Sequence, residues 1–223
     1  LEMAEERIAE RIGANLLDVT IDDLHSMPKQ LYDDKMNKLR GKTAGKLIIK
    51  EYPTASAHSG HFKSLINELA LKKSFKPDVV FVDYLNICAS SRFKGGNISS
   101  YFYIKAIAEE LRGLAVEFNV PIFSATQTTR TGYVSTDIGL EDTSESFGLP
   151  ATADFMFALM SNEELESLGQ MKVKQLKNRY NDPTVNRKFI VGVDRSKMRL
   201  YDVQQKAGEI VDANQVDEKE DAY

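Results

Sequence analysis

Apolar residues recur at helical spacing along much of the chain. Ile8, Ile12 and Leu16 lie four residues apart among good helix formers, which predicts a helix over residues 1–16. The strongest amphipathic pattern runs from residue 104 to residue 118 and predicts a long helix with one buried face. Similar patterns predict a helix that begins at Pro28 and another that carries Phe62, Leu65, Ile66 and Leu69.

Short apolar runs alternate with these helices. Val79–Val82, Pro121–Ala125 and Phe155–Met160 are typical of strands that a parallel sheet buries on both faces, and Lys46–Lys50 is predicted as a further strand. The alternation of strand and helix predicts an α/β fold with a mostly parallel sheet. Ligands of such folds lie beyond the carboxyl ends of the strands, so the residues that follow each strand are candidates for function.

The pattern changes after residue 170. Met171–Lys177, Lys188–Val193 and Met198–Val203 alternate between polar and apolar residues, which predicts antiparallel strands at the edge of the sheet. From Glu209 onward the chain is acidic and poor in apolar residues. We therefore expect one domain over residues 1–205 and a disordered acidic tail over residues 206–223.

Composition narrows the class of protein. The chain has 223 residues, 42% of them hydrophobic, and a net charge of −4. The single cysteine excludes an internal disulfide framework and a cysteine-cluster zinc site, and it fits a reducing cytosol. An acidic N-terminus and the lack of a membrane-length apolar run favour a cytoplasmic protein. The acidity argues against a broad nucleic-acid surface, although a local basic groove stays possible.

Candidate chemistry follows the strands. Asp83 comes directly after an apolar strand, where an acid suits a phosphate-bound magnesium, although a capping role is favoured on spacing alone. Gln127 follows the next strand and suits either the sensing of a phosphate or ordinary loop hydrogen bonding. Lys177 and Arg179 occupy alternate positions, so both point to the same side, toward an anion across an interface or simply into solvent.

Two other motifs are rejected. Gly41-Lys42-Thr43 matches the end of a phosphate-binding loop, but a predicted helix precedes it where that motif requires a strand. His58 and His61 have no third ligand at metal-site spacing, so we interpret both as loop residues.

Several short motifs become recognisable through their order. They are Leu1-Glu2-Met3, Val80-Phe81-Val82-Asp83-Tyr84-Leu85, Phe123-Ser124-Ala125-Thr126-Gln127, Glu145-Ser146 with Ala153-Asp154, and Lys177-Asn178-Arg179. Together they resemble the C-terminal ATPase domain of DnaB-type replicative helicases, most closely those of large tailed bacteriophages. The resemblance implies a RecA-like core, hexameric rings around single-stranded DNA, and movement along that strand driven by hydrolysis of ATP or another nucleoside triphosphate with Mg²⁺.

The resemblance also implies a role for each matching residue. Glu2 matches the glutamate that activates the attacking water, and Asp83 matches the acid that supports magnesium, directly or through water. Gln127 matches the glutamine that links the phosphate site to the DNA segment. Lys177 and Arg179 match the pair that reaches the nucleotide of the neighbouring subunit, with Arg179 as the arginine finger.

DNA contact is expected on two loops. Arg92 and Lys94 lie on a glycine-containing loop after the Asp83 strand, and Arg130 lies on the loop after Gln127. Glu145 and Ser146, which belong to the matching motifs, are assigned to DNA contact as well. The implied partners are single-stranded DNA, further copies of the chain in a homo-hexamer, a primase and a helicase loader. No membrane partner is expected, and a viral source would place the protein in the host cytoplasm.

The family's glycine-rich phosphate loop precedes the glutamate that Glu2 matches. The resemblance therefore implies that this chain is a fragment of a longer helicase, truncated before Glu2 and inactive as an ATPase by itself. Two alternatives stay open at this point. One is a RecA-type recombinase or clock-protein relative with the same core, and the other is a RecA-fold module that binds a partner without catalysis.

Overall fold

A computed structural model describes residues 3–43, 45–93, 98–128, 138–140, 148–182 and 184–204. Its longer helices are α1 (Glu5–Leu17), α2 (Ile21–Ser26), α3 (Lys29–Lys42), α4 (Ser59–Lys73) and α5 (Ser100–Phe118). Short helices occupy Gly148–Thr152 and Glu163–Ser167, and a 3-10 turn occupies Leu85–Ile87. The strands are β1 (Val80–Val82), β2 (Ile122–Ser124), β3 (Phe155–Met160), β4 (Gln170–Asn178), β5 (Lys188–Asp194) and β6 (Arg199–Asp202).

The predicted helices are present, although α1 begins at Glu5 and leaves Met3 and Ala4 of the predicted range outside the helix. Local sequence explains the helix ends. Thr20 accepts a hydrogen bond from the Asp23 N–H at 3.0 Å and so caps the start of α2. Asn119 ends α5 in the left-handed conformation, with φ at 51°, a conformation that asparagine tolerates. Glu5 and Glu6 place negative charge in the first turn of α1, where the helix dipole favours it.

The strands form two sheets among the described residues. β1 and β2 pair in parallel, with Val82 opposite Ser124. β3, β4, β5 and β6 form an antiparallel sheet in that order. The prediction of one mostly parallel sheet with antiparallel edge strands is therefore wrong for the described strands, because the antiparallel ladder is a sheet of its own. The chain nevertheless combines helices with a parallel sheet and an antiparallel sheet.

Four further strand predictions need correction. Lys46–Lys50 is not a strand, because its backbone enters no ladder. Phe81 is 72% exposed and Phe123 is 54% exposed, so the parallel pair is not buried on both faces. β3 alternates between exposed and buried positions because only one of its faces packs inward. β4 is also not an edge strand, since β3 and β5 lie on either side of it.

The main core forms around α5. Ile104, Ile107, Ala108, Leu111 and Leu114 are all at most 6% exposed and pack with buried residues of α4, β1 and the 3-10 turn. Because α5 packs beneath both β1 and β2, it fixes the strand ends that carry the candidate chemistry. The amphipathic stripe predicted this arrangement.

The first helices pack against the last hairpin. Asp18, just after α1, contacts Lys197 at 3.1 Å and Arg199 at 3.0 Å. Asn15 Nδ2 donates to the Met198 carbonyl at 2.7 Å. The turn between β5 and β6 thus holds an element from the other end of the described chain. The predicted acidic tail lies outside the described residues.

Candidate functional site

The carboxyl ends of β1 and β2 lie side by side. Parallel pairing brings them to the same edge, and Ser124 Oγ donates to the Val82 carbonyl at 2.8 Å. The Leu85 N–H donates to the Ala125 carbonyl at 3.1 Å, which continues the contact beyond the strands. The two segments that follow the strands are therefore fixed relative to each other. Candidate residues on both segments share one edge of this sheet, as the sequence predicted.

Asp83 and Gln127 both belong to this edge. Asp83 follows β1 directly and is exposed. Its neighbour Tyr84 accepts a hydrogen bond through its hydroxyl from Gln127 Nε2 at 3.2 Å. Thr126 Oγ1 donates to Asn86 Oδ1 at 2.8 Å, which gives the two segments a second side-chain link. Two side-chain hydrogen bonds therefore join the segment after β1 to the segment after β2.

Lys177 and Arg179 lie together at the end of β4. Lys177 Nζ donates to the Pro150 carbonyl at 2.5 Å, and Arg179 Nη2 donates to the Ala151 carbonyl at 3.2 Å. Both cations therefore reach the last turn of the helix Gly148–Thr152, whose free carbonyls attract positive charge. Their placement on the same side confirms what the alternate spacing predicted, but both bind their own chain.

Asp154 is the centre of this cationic group. Arg179 Nη1 and Arg112 Nη1 each lie 2.7 Å from its Oδ1 atom. Burial raises the pKa of Asp154, but the hydrogen bond from Arg112 and the charges of both arginines outweigh it, so the pKa is lowered overall. Burial and the nearby charge of Arg179 lower the pKa of Lys177. Among the described residues this group has three cations and one carboxylate, which is an excess of positive charge.

Arg92 lies in a third region, after the 3-10 turn. Its guanidinium contacts Glu109 Oε2 on α5 at 2.5 Å. It lines an open groove together with Phe93, Phe102 and Lys105, and Phe102 is 59% exposed. Exposed aromatic rings beside cations are the side chains that stack bases and contact phosphates in single-stranded nucleic acids. Because Arg92 is paired with Glu109, its guanidinium has to share or break this ion pair when it binds an anion.

The remaining predicted site residues lie outside the described residues. They are Glu2, Lys94, Arg130, Glu145 and Ser146.

Comparisons with known proteins identify the family. A family model described as "DnaB-like helicase C terminal domain" matches residues 1–200. The chain belongs to this family. The "DnaB-like replicative helicase" of Enterobacteria phage T4 is 42% identical over 231 residues, which cover 100% of this chain and 49% of that relative. A "Probable plasmid replicative DNA helicase" of Chlamydia trachomatis is 33% identical over 132 residues, covering 58% of this chain and 28% of that relative. The chain thus spans about half the length of its phage relative and a smaller share of the chlamydial one.

Solved structures agree on the fold. One solved ATPase domain matches with a TM-score of 0.72 and 18% identity, over 91% of this chain and 72% of that chain. A DnaB-like replicative helicase, solved to study its interactions with primase, matches with a TM-score of 0.71 and 16% identity, over 91% of this chain and 49% of that chain. The RecA-like fold of this DnaB-family chain, implied by the resemblance, is confirmed.

The carboxylates in the described part of this DnaB-family chain fit a magnesium ion that takes most of its ligands from water and phosphates. No cluster of three or more His, Cys, Asp or Glu residues able to hold a metal occurs in the part of the chain that the structure describes. Asp83 is an exposed carboxylate on the sheet edge, and Mg²⁺ in nucleotide sites is often bound by one or two carboxylates, water and the phosphates. Asp83 would hold such an ion, directly or through water, and the ion would neutralise phosphate charge there.

Sequence patterns missed the partners of the predicted site residues. Asp154 and Arg112 complete the cationic group, yet only Asp154 belongs to a recognised motif, and nothing in the spacing of Arg112 points to it. The loop prediction is wrong for His61, which lies in α4, while His58 precedes the helix as its N-cap. His58 accepts from the Gly60 N–H at 3.0 Å, and His61 Nδ1 accepts from the His58 N–H at 3.2 Å. The rejection of Gly41-Lys42-Thr43 agrees with the structure, because α3 runs through Gly41 and Lys42.

No described helix is long and apolar enough to cross a membrane.

Proposed function

We propose that this chain is the motor part of a replicative DNA helicase that couples nucleoside triphosphate hydrolysis to movement on single-stranded DNA and to duplex unwinding. The observation that carries the proposal is the match of the family model to residues 1–200, together with the Gln127–Tyr84 hydrogen bond that joins the segments carrying Gln127 and Asp83 at one sheet edge. On this proposal the longer protein forms a homo-hexamer and works with a primase and a helicase loader in the cytoplasm of the cell or host.

Each site residue has a role in this proposal. Asp83 supports the magnesium of the bound nucleotide, and Glu2 activates the attacking water. Gln127 connects the phosphate site to the DNA-contacting segments, which is supported by its hydrogen bond to Tyr84 next to Asp83. Lys177 and Arg179 act on the nucleotide of the neighbouring subunit, and an arginine's planar fork of donors suits a γ-phosphate.

On this proposal a phosphate-binding loop is supplied by a part of the longer protein that this chain does not span. This part of the proposal is supported by coverage: the chain corresponds to 72% of the solved ATPase domain and 49% of the phage T4 relative. Such a loop offers a cradle of backbone N–H groups to the β- and γ-phosphates. The described residues contribute the edge that faces this cradle.

DNA contact is assigned to the segments that follow β1 and β2. Arg92 and the aromatic groove beside it support this assignment, and Lys94, Arg130, Glu145 and Ser146 complete the proposed set. Cations here would neutralise phosphates without reading sequence. Affinity for single-stranded DNA should therefore fall steeply with added salt.

Unwinding of a forked DNA substrate by the longer protein tests the proposal. We expect strand separation that needs ATP and Mg²⁺, and hydrolysis that single-stranded DNA stimulates. A longer protein that hydrolyses ATP on DNA and exchanges homologous strands, without unwinding forks, would instead indicate a recombinase. A protein that binds a partner but hydrolyses nothing would indicate an interaction module.

A further inference from the structure

Glu110 on α5 collects hydrogen bonds from two separate segments. Ser90 Oγ lies 2.6 Å from Oε1, while Ser91 Oγ and Ser59 Oγ lie 2.7 Å and 2.8 Å from Oε2. The Ser91 N–H lies 3.0 Å from both oxygens, and the Arg92 N–H lies 3.4 Å from Oε1. One carboxylate therefore joins the start of α4 to the backbone that leads into the Arg92 segment.

The chemistry of this group fits an ionised acid. A carboxylate accepts hydrogen bonds only, and every neighbour named above presents a donor. Partial burial raises the pKa of Glu110, but hydrogen bonds from Ser90, Ser91 and Ser59 outweigh it, so the pKa is lowered overall. Ser90 is only 5% exposed, and its N–H donates to the Tyr103 hydroxyl at 3.1 Å, so the backbone beneath Arg92 is held at two points along one face of α5.

Glu109, the next residue on α5, makes contacts of a different kind. Its carboxylate pairs with the Arg92 side chain at 2.5 Å and lies 4.0 Å from Lys105. These are exposed ion pairs, and they occupy the two cations that line the groove. Glu110 thus holds the backbone of the segment, whereas Glu109 holds its charged side chains.

We propose that Glu110 is a positioning residue that fixes the Ser90–Arg92 backbone so that Arg92 is presented to single-stranded DNA, and that Glu109 competes with the DNA for Arg92. This inference rests on the proposed DNA contact and adds to it two residues that no resemblance supplies. It predicts that replacing these two adjacent carboxylates has opposite effects on the affinity for single-stranded DNA. If only electrostatics mattered, both replacements would have the same effect, because each replacement removes a negative charge near the DNA.

The test compares Glu110→Gln with Glu109→Gln in the 223-residue chain. Glutamine keeps the shape of glutamate but turns one acceptor oxygen into a donor NH₂ group, so the Ser91 N–H loses one of its two acceptors and the groups that shared that oxygen lose theirs. The segment then has to be ordered at the time of binding, so the affinity for a labelled oligo-dT, read by fluorescence anisotropy, should fall about three- to tenfold. Glu109→Gln frees Arg92 and should raise the affinity about two- to fivefold.

Amide hydrogen exchange supplies a second readout. Exchange at Ser91 and Arg92 should become faster in Glu110→Gln and stay unchanged in Glu109→Gln, with similar melting temperatures for both. A purely structural role for Glu110 would instead lower the melting temperature and accelerate exchange throughout α5. Tighter or unchanged oligo-dT binding by Glu110→Gln would overturn the proposal.

Ser91→Ala covers the case in which Glu110→Gln fails to fold. It removes one exposed hydroxyl from Glu110, so oligo-dT binding should weaken in the same direction by a smaller factor, and unchanged binding and exchange would refute the proposal. Failure of the unaltered chain to bind oligo-dT would defeat the proposed DNA contact instead. The exchange comparison would then decide by itself whether Glu110 holds the segment.

Discussion

Arg179 donates to Asp154 of its own chain, with Nη1 2.7 Å from Oδ1. The same oxygen accepts from Arg112 at the same distance, so Asp154 keeps a partner when Arg179 turns away. An arginine that acts on a neighbouring subunit has to leave its own contacts first. The second guanidinium lowers the cost of that movement, because it prevents Asp154 from being left unpaired.

Replacing Arg179 tests the role in trans. In the longer protein, Arg179→Ala should lower ATP hydrolysis at least about 10²-fold, because trans arginine fingers contribute about 10³ to 10⁵ in rate. The subunit should stay folded, since the Arg179 side chain is 42% exposed and exposed ion pairs contribute about 1 kcal/mol at most. Mixed rings with a Glu2→Ala subunit should recover part of the activity, as each subunit supplies what the other lacks. Mixed rings no more active than the two variants separately would contradict the assignment in trans.

Asp83 should be required for hydrolysis in the longer protein. Asp83→Ala removes the carboxylate that we assign to the magnesium, so the charge of the transferred phosphoryl group is no longer balanced and turnover should be lost.

The 223-residue chain by itself should show negligible ATPase activity, because its sequence contains no recognisable phosphate-binding loop. Both are measured by phosphate release. Robust magnesium-dependent turnover by the 223-residue chain, abolished by Asp83→Ala, would disprove the second expectation.

Acid should weaken the Asp154 cluster. Because the folded pKa of Asp154 lies below its unfolded value, its contribution to stability is complete above about pH 4 and is lost as the pH falls through the folded pKa. The difference in urea midpoint between the unaltered chain and Asp154→Asn should therefore shrink below about pH 4. A difference that stays constant down to strongly acidic pH would show that the Asp154 charge adds nothing to stability.

Cys88 should react slowly in the folded chain. It is 2% exposed, and burial raises the pKa of its thiol to about 11, so little thiolate forms at ordinary pH. Ellman's reagent should label it only on unfolding, with concentrated guanidinium chloride as the positive control. The raised pKa also means that stability declines as the pH rises from about 8.5 toward the folded pKa. Rapid labelling of the native chain would contradict this burial.

Truncation within α5 should separate core from surface positions. Ile107 is 2% exposed, so Ile107→Ala should lower the free energy of unfolding by about 2–5 kcal/mol. Val116 lies on the same helix but is 73% exposed, and Val116→Ala should change stability by less than about 0.5 kcal/mol. Chemical denaturation measures both. Equal losses at the two positions would mean that α5 does not pack as described.

Sequence periodicity predicted α5 well because its apolar stripe is long and one-sided. It failed for Phe81 and Phe123, whose rings stack at 5.3 Å on an exposed face, because an apolar run does not reveal which faces are covered. The spacing of Lys177 and Arg179 predicted their common side. It could not predict Asp154 or Arg112 as partners, since only folding brings β3 and α5 to the end of β4. Glu110 was equally hidden, because a charged residue on an amphipathic helix looks like part of its solvated face.

The ion pairs between Asp18 and the last hairpin can form only late in the synthesis of the chain. Asp18 and Arg199 are separated by 181 residues, so α1 emerges from the ribosome long before its partner exists. At about 5–20 residues per second, this delay is on the order of 10 to 40 s. During that time Asn15 and Asp18 lack their hydrogen bond and ion pairs to the final hairpin, so the C-terminal end of α1 gains these contacts only when the hairpin has been made.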